Sequence, residues 1–205
     1  AGHSLQRQEG RNITSCCVMT SEWFALNVAV QNGDVRKARK LLSGREPVDV
    51  NYIFTNDSLL HSAVSSRSTE IMVELIKAKA DVNLRRKDGV SPLLKAVSEK
   101  VDESMIDCLI NAKADLNTAT PQGRTSLHMA AYFNKESLIQ KLIDAKCDLC
   151  RTDSCGELVT VCFKVGNTVL HEVVVSSYYN GEHERTNCLL RLLNAGAYPC
   201  LTVTV

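Results

Sequence analysis

At 205 residues, 44% of them hydrophobic, the chain is long enough to bury a sizeable core. Its formal charge of +1 excludes a general affinity for nucleic acid or anionic membrane, which needs clustered basic excess. No apolar run reaches the roughly eighteen residues that span a bilayer, and nine cysteines without an apolar leader predict reduced thiols in cytosol or nucleus.

In chain order, residues 1–22 are expected to be a tag remnant, Ala1-Gly2-His3-Ser4, and an N-terminal cap. "WFALNVAVQNGDVRKARKLLSGREPVDVN" (23–51) places Leu26 and Ala29 on one predicted helix and Ala38, Leu41 and Leu42 on a second. Trp23 and Phe24 are expected to cover the end of a stack, as terminal repeats must. A pattern then recurs. "SLLHSAV" (58–64), "SPLLKAV" (91–97), "TSLHMAA" (125–131) and "TVLHEVV" (168–174) each open on Ser or Thr, an N-cap residue. Each is preceded by a residue tolerant of positive φ: Asn56, Gly89, Gly123 or Gly166. Downstream come "LIKAKADVN" (75–83), "LINAKADLN" (109–117), "LIDAKCDLC" (142–150) and "LLNAGAYPC" (192–200). The second predicted helices carry apolar stripes at i, i+1, i+4 and i+5, beginning at Ile71, Met105, Leu138 and Cys188. From Ile71 to Met105 is 34 residues, and from Met105 to Leu138 is 33.

A period near 33 residues made of turn, short helix, second helix and loop is the signature of a helical solenoid, in which stacking covers faces that no single unit can bury. "TSLHMAAYFNKESLIQKLIDAKCDL" (125–149) resembles the ankyrin repeat, with its T-P-L-H-x-A-A followed by L-L-x-x-G-A-D. The resemblance spans about residues 23–200 and implies an all-α solenoid of about five stacked repeats with β-turn fingers. The repeats fall at about 23–51, 52–83, 84–117, 118–150 and 151–200, with 201–205 a truncated tail. Lys79, Lys113 and Lys146 stand where the family pattern has glycine, and Leu94 stands where it has histidine. His61, His128 and His171 share one repeat position, which predicts hydrogen bonding to neighbouring backbone.

Four cysteines, Cys147, Cys150, Cys155 and Cys162, raise the question of zinc. Cys147 occupies the small, buried slot of Ala80 and Ala114, Cys150 that of Asn83 and Asn117, and only one C-x2-C pair is present. The expectation is therefore no metal and no cofactor. Ten extra residues lie between Cys150 and Leu170, and "ELVTVCFKV" (157–165) predicts a lengthened hairpin finger between repeats four and five. Seven more fall within "SSYYNGEHERTN" (176–187), a predicted polar loop.

The resemblance implies that partner proteins meet the concave side, made of fingers and first-helix faces. Mapped here, the candidate partner-binding residues are Tyr132, Phe133, Arg124, Gln122, Lys87, Asp88, Glu99, Phe54, Asp57 and Phe163. Tyr132 and Phe133 head the set because aromatics in a solvent-facing slot supply large, rigid contact area. No phosphate loop, dinucleotide fingerprint, metalloprotease or nucleophile-elbow motif is present. The expected function is thus a non-catalytic protein-interaction module, monomeric or part of a larger chain, such as a scaffold or adaptor. Alternatives are the substrate-recognition domain of a ubiquitin ligase, an inhibitory regulator of a signalling or transcription factor and, last, a cysteine-dependent enzyme. No nucleic acid, membrane or small molecule is expected as a ligand.

Overall fold

The computed structural model describes residues 21–44, 48–149, 151, 153 and 186–196. Four helix pairs follow one another: α1 (Ser21–Gln31) with α2 (Val35–Leu42), α3 (Leu59–Ser65) with α4 (Thr69–Lys77), α5 (Pro92–Ser98) with α6 (Glu103–Asn111), and α7 (Ser126–Tyr132) with α8 (Glu136–Asp144). A further helix, α9 (Thr186–Asn194), packs on α8. First helices stack on first helices in the row α1–α3–α5–α7. Second helices stack as α2–α4–α6 and α8–α9. The architecture is the all-α solenoid that the repeat pattern predicts, and no strand occurs among the described residues.

The core lies between the two rows. Leu26, Leu60, Leu93 and Leu127, one per first helix, are at most 1% exposed, and Ile71, Met72, Leu75, Met105, Leu109, Ile139 and Leu142 meet them from the second row. Trp23 is buried at the N-terminal end against Tyr52 and Phe54, with ring centroids 5.3 and 5.6 Å away, while Phe24 stays 54% exposed. Of the two aromatics expected to cover that end, only Trp23 is buried.

Caps set where the short helices begin. Ser58 Oγ lies 2.8 Å from His61 Nδ1, which also accepts the Ser58 backbone N–H at 3.3 Å. Thr125 and His128 repeat this arrangement at 2.8 and 3.3 Å. His61 Nε2 then reaches 3.1 Å to the Val90 carbonyl of the next finger. The histidine therefore closes its own cap and ties one repeat to the next. Leu94 cannot do either, and there Ser91 Oγ alone accepts the Leu94 N–H at 3.3 Å.

An asparagine ladder joins the loops that follow the second helices. Asn51, Asn83 and Asn117 each accept the backbone N–H of an aspartate one repeat on: Asp81 at 2.7 Å, Asp115 at 2.6 Å and Asp148 at 2.8 Å. Asp49, Asp81 and Asp115 in turn each accept the N–H of the asparagine two residues ahead, at 2.9 Å. Cys150, in the next such position, has no amide oxygen to offer.

Lys79, Lys113 and Lys146 take the glycine conformation without being glycine. Their φ values of 67°, 67° and 62° fall in the left-handed region, as does that of Gly196 at 88° in the last copy. The loop geometry is kept and the side chain bears the cost, about 1 kcal/mol each. Attraction between the ammonium and the preceding helix C-terminus offsets part of that, about 0.3–1 kcal/mol. Replacing all three lysines with glycine should raise stability by about 1–2 kcal/mol, read as a higher urea midpoint at unchanged slope. A lower midpoint would mean that the side chains contribute more than the backbone loses.

Candidate functional site

The fingers are built from tight turns joined across repeats. Arg86 N–H donates to Val90 O and Thr120 N–H to Arg124 O, both at 2.9 Å, with Gly89 at φ 80° and Gly123 at φ 79° completing the reversals. The first of the three fingers is one residue shorter, with Phe54 N–H donating to Asp57 O at 3.1 Å. The positive φ expected at Asn56 falls instead on Thr55, at 57°, because a shorter loop needs it at its first central position. Asn56 Oδ1 accepts the Lys87 N–H at 3.0 Å and so couples neighbouring fingers.

An ion network stiffens the finger roots. Lys95, only 6% exposed, reaches Asp57 at 3.1 Å and Glu99 at 3.8 Å, and Arg86 reaches Asp57 at 3.3 Å and Asp88 at 3.4 Å. Glu99 also accepts a hydrogen bond from Ser65 Oγ at 3.4 Å. Phe54 is half-buried on Trp23. Asp57 and Phe54 thus face their own fold, whereas Lys87, Asp88 and Gln122 are exposed at the finger tips.

Tyr132 ends α7 and Phe133 caps it. Tyr132 is 44% exposed, and the two rings meet edge to face with centroids 5.3 Å apart. Lys100 Nζ sits 4.4 Å from the Phe133 centroid, and the Arg124 guanidinium lies 6.0 Å from that of Tyr132. Arg124 also pairs with the buried Asp153 at 3.4 Å. The structure thus gathers Tyr132, Phe133 and Arg124 into one cluster, with Glu99 on the adjoining α5 end. Phe163 lies outside the described residues, as do the predicted finger at 157–165, the loop at 176–185, His171 and the tail.

Sequence reasoning missed Lys100 and Lys95. Their main partners, Phe133 for Lys100 and Asp57 for Lys95, are supplied by neighbouring repeats, so spacing gave no signal. The asparagine ladder did leave one, the D-x-N recurrence at 49–51, 81–83 and 115–117.

Cys147 fills the alanine slot and is buried, and burial pushes its thiol up to about 11. Cys108 is half-exposed. At pH 8 only about one Cys147 in a thousand carries the reactive thiolate. Timed iodoacetamide labelling of the native protein, mapped by mass spectrometry, should modify Cys108 at least tenfold faster. A zinc ion at Cys147 would have to displace that proton. Cys150, Cys155 and Cys162 lie outside the described residues, so the four-cysteine question rests on sequence alone.

Stacked helix pairs, turn fingers and histidine-closed caps define a helical-repeat solenoid. The model for ankyrin repeats (3 copies) matches residues 60–153, and that stretch is built of ankyrin repeats. It is 33% identical over 111 residues to neurogenic locus notch homolog protein 1 of Xenopus laevis, covering 54% of this chain and 4% of that protein. To the human and mouse neurogenic locus notch homolog protein 2 it is 33% identical over 138 residues, covering 65% of this chain and 5% of each. The chain therefore spans a small fraction of the length of these relatives. Ankyrin repeats are protein–protein interaction modules and typically non-enzymatic. No helix among the described residues is long and apolar enough to cross a membrane.

Proposed function

We propose that the chain binds a partner protein on the flank formed by its fingers and first helices, centred on Tyr132 and Phe133. The exposed Tyr132 carries this reading: a large aromatic held edge-on by Phe133 has little rotamer freedom to lose on binding. Arg124 lies beside it, and Gln122, Lys87, Asp88 and Glu99 complete the proposed surface as its polar rim. Asp57 and Phe54 support the fingers from beneath. Phe163, in the insertion that the sequence predicts to be a lengthened finger, is assigned to the same proposed surface.

The test compares proteins captured from lysate by the wild type and by Tyr132→Ala, and then titrates the captured partner. We expect Tyr132→Ala to weaken it at least tenfold, about 1.4 kcal/mol, with an unchanged circular dichroism spectrum. Equal affinity for both would place the binding surface elsewhere. Scaffold, ligase-receptor and inhibitor roles all draw on this surface, and the identity of the captured partner distinguishes them.

A further inference from the structure

Charge is divided unevenly between the two surfaces of the solenoid. Within residues 52–149, the finger and first-helix segments (52–67, 84–100 and 118–134) hold seven cations against Asp57, Asp88 and Glu99. The second-helix and loop segments (68–83, 101–117 and 135–149) hold six cations against ten carboxylates. A nearly neutral chain thus has a basic flank and an acidic back. On the basic flank the carboxylates are already engaged: Asp57 by Lys95 and Arg86, Asp88 by Arg86, and Glu99 by Lys95 and Ser65. Lys87 and Lys100 are exposed and make no ion pair among the described residues, and Lys100 stands directly over Phe133.

Resting on the binding surface argued above, we propose that its occupant is an acidic protein segment carrying an aromatic or large aliphatic side chain. The apolar group packs against Tyr132, and carboxylates on either side of it reach Lys100 and Lys87. Charge complementarity of this kind sets partner choice and speeds encounter. Nucleic acid fits less well. One face of each ring is already taken by a cation, Lys100 on Phe133 and Arg124 on Tyr132, which leaves poor platforms for base stacking.

The probe is a library of random dodecapeptides selected on the immobilised protein, with affinities of the enriched peptides measured by fluorescence anisotropy. Enriched peptides should carry net negative charge and at least one aromatic or large aliphatic residue. Their affinity should fall at least tenfold in Lys87→Glu/Lys100→Glu and less than twofold in Lys79→Glu/Lys113→Glu, the same charge change in the loops that follow the second helices. Neutral or basic winners, no enrichment, or equal losses in both variants would overturn the proposal. So would an oligothymidylate that binds as tightly as the best peptide. If acidic peptides win but bind Tyr132→Ala and Lys87→Glu/Lys100→Glu undiminished, the location of the surface fails. If lysate partners depend on Tyr132 while the winning peptides are uncharged, the surface stands and the acidic chemistry fails.

Discussion

Replacing His61 with alanine is expected to cost about 3–4 kcal/mol, read as a drop in the urea midpoint. The imidazole is fully buried, so its loss opens a cavity beneath the finger. It also strips a buried donor. Ser58 N–H makes its hydrogen bond to Nδ1 and loses it, whereas the Val90 carbonyl keeps its bond from Arg86 N–H at 2.9 Å. His61→Leu should cost less, about 1–2 kcal/mol, because leucine refills the space. The chain supplies the precedent: Leu94 occupies this position one repeat on and is 1% exposed. Equal midpoints for His61→Ala and wild type would mean that the caps do not hold the repeats in register.

The same residue makes stability depend on pH. Burial lowers the His61 pKa from its ordinary 6.5, outweighing the Val90 hydrogen bond and the nearby Asp57 charge that pull it up. The bonding pattern agrees. Nδ1 accepts a backbone N–H and Nε2 faces a carbonyl, so the neutral Nε2–H form fits, and a proton on Nδ1 would confront the Ser58 donor. Below pH 6.5 the unfolded chain therefore binds more protons at this site than the folded one. The stability it contributes is complete above about 6.5 and declines as pH falls toward the lowered native value. Stability should drop between pH 7 and pH 5, with a smaller drop in His61→Leu.

Periodicity made the fold legible. The spacing of Ile71, Met105 and Leu138 reports a buried face directly, since each stripe must meet the same neighbour in every copy. The conformation at Lys79, Lys113 and Lys146 was open, because residue type argued against a left-handed turn while repeat position argued for one; position won. The site was less legible. Tyr132 stands out as an aromatic in an outward slot, but the cations that frame it and Phe133 come from elsewhere: Lys100, over Phe133, from the preceding repeat and Arg124, over Tyr132, from the finger. Phe54 and Asp57 match finger positions in sequence, yet their side chains turn toward Trp23 and Lys95. Repeat position specifies the backbone. Side-chain direction depends on which neighbour offers an aromatic or a charge.

Removing the Asp57 carboxylate should be the second most damaging change, about 2–3 kcal/mol in Asp57→Ala. Lys95 is buried with its ammonium 3.1 Å from Asp57, and among the described residues the other carboxylate at hand is Glu99 at 3.8 Å. Truncation leaves a cation in a poorly hydrated place without its main partner, a penalty of about 3–5 kcal/mol for a fully buried pair. The Asp57 side chain is 34% exposed, so water can enter and the lower figure applies. Arg86 also loses its contact, although Asp88 remains for it. Two further variants separate charge from finger geometry. Asp57→Asn keeps an acceptor beside Lys95 and should cost about half as much. Lys95→Met in the Asp57→Ala background removes the stranded cation and should restore most of the loss. A double variant no more stable than Asp57→Ala would show that Asp57 acts by shaping the turn at 54–57, and that the ion pair contributes little.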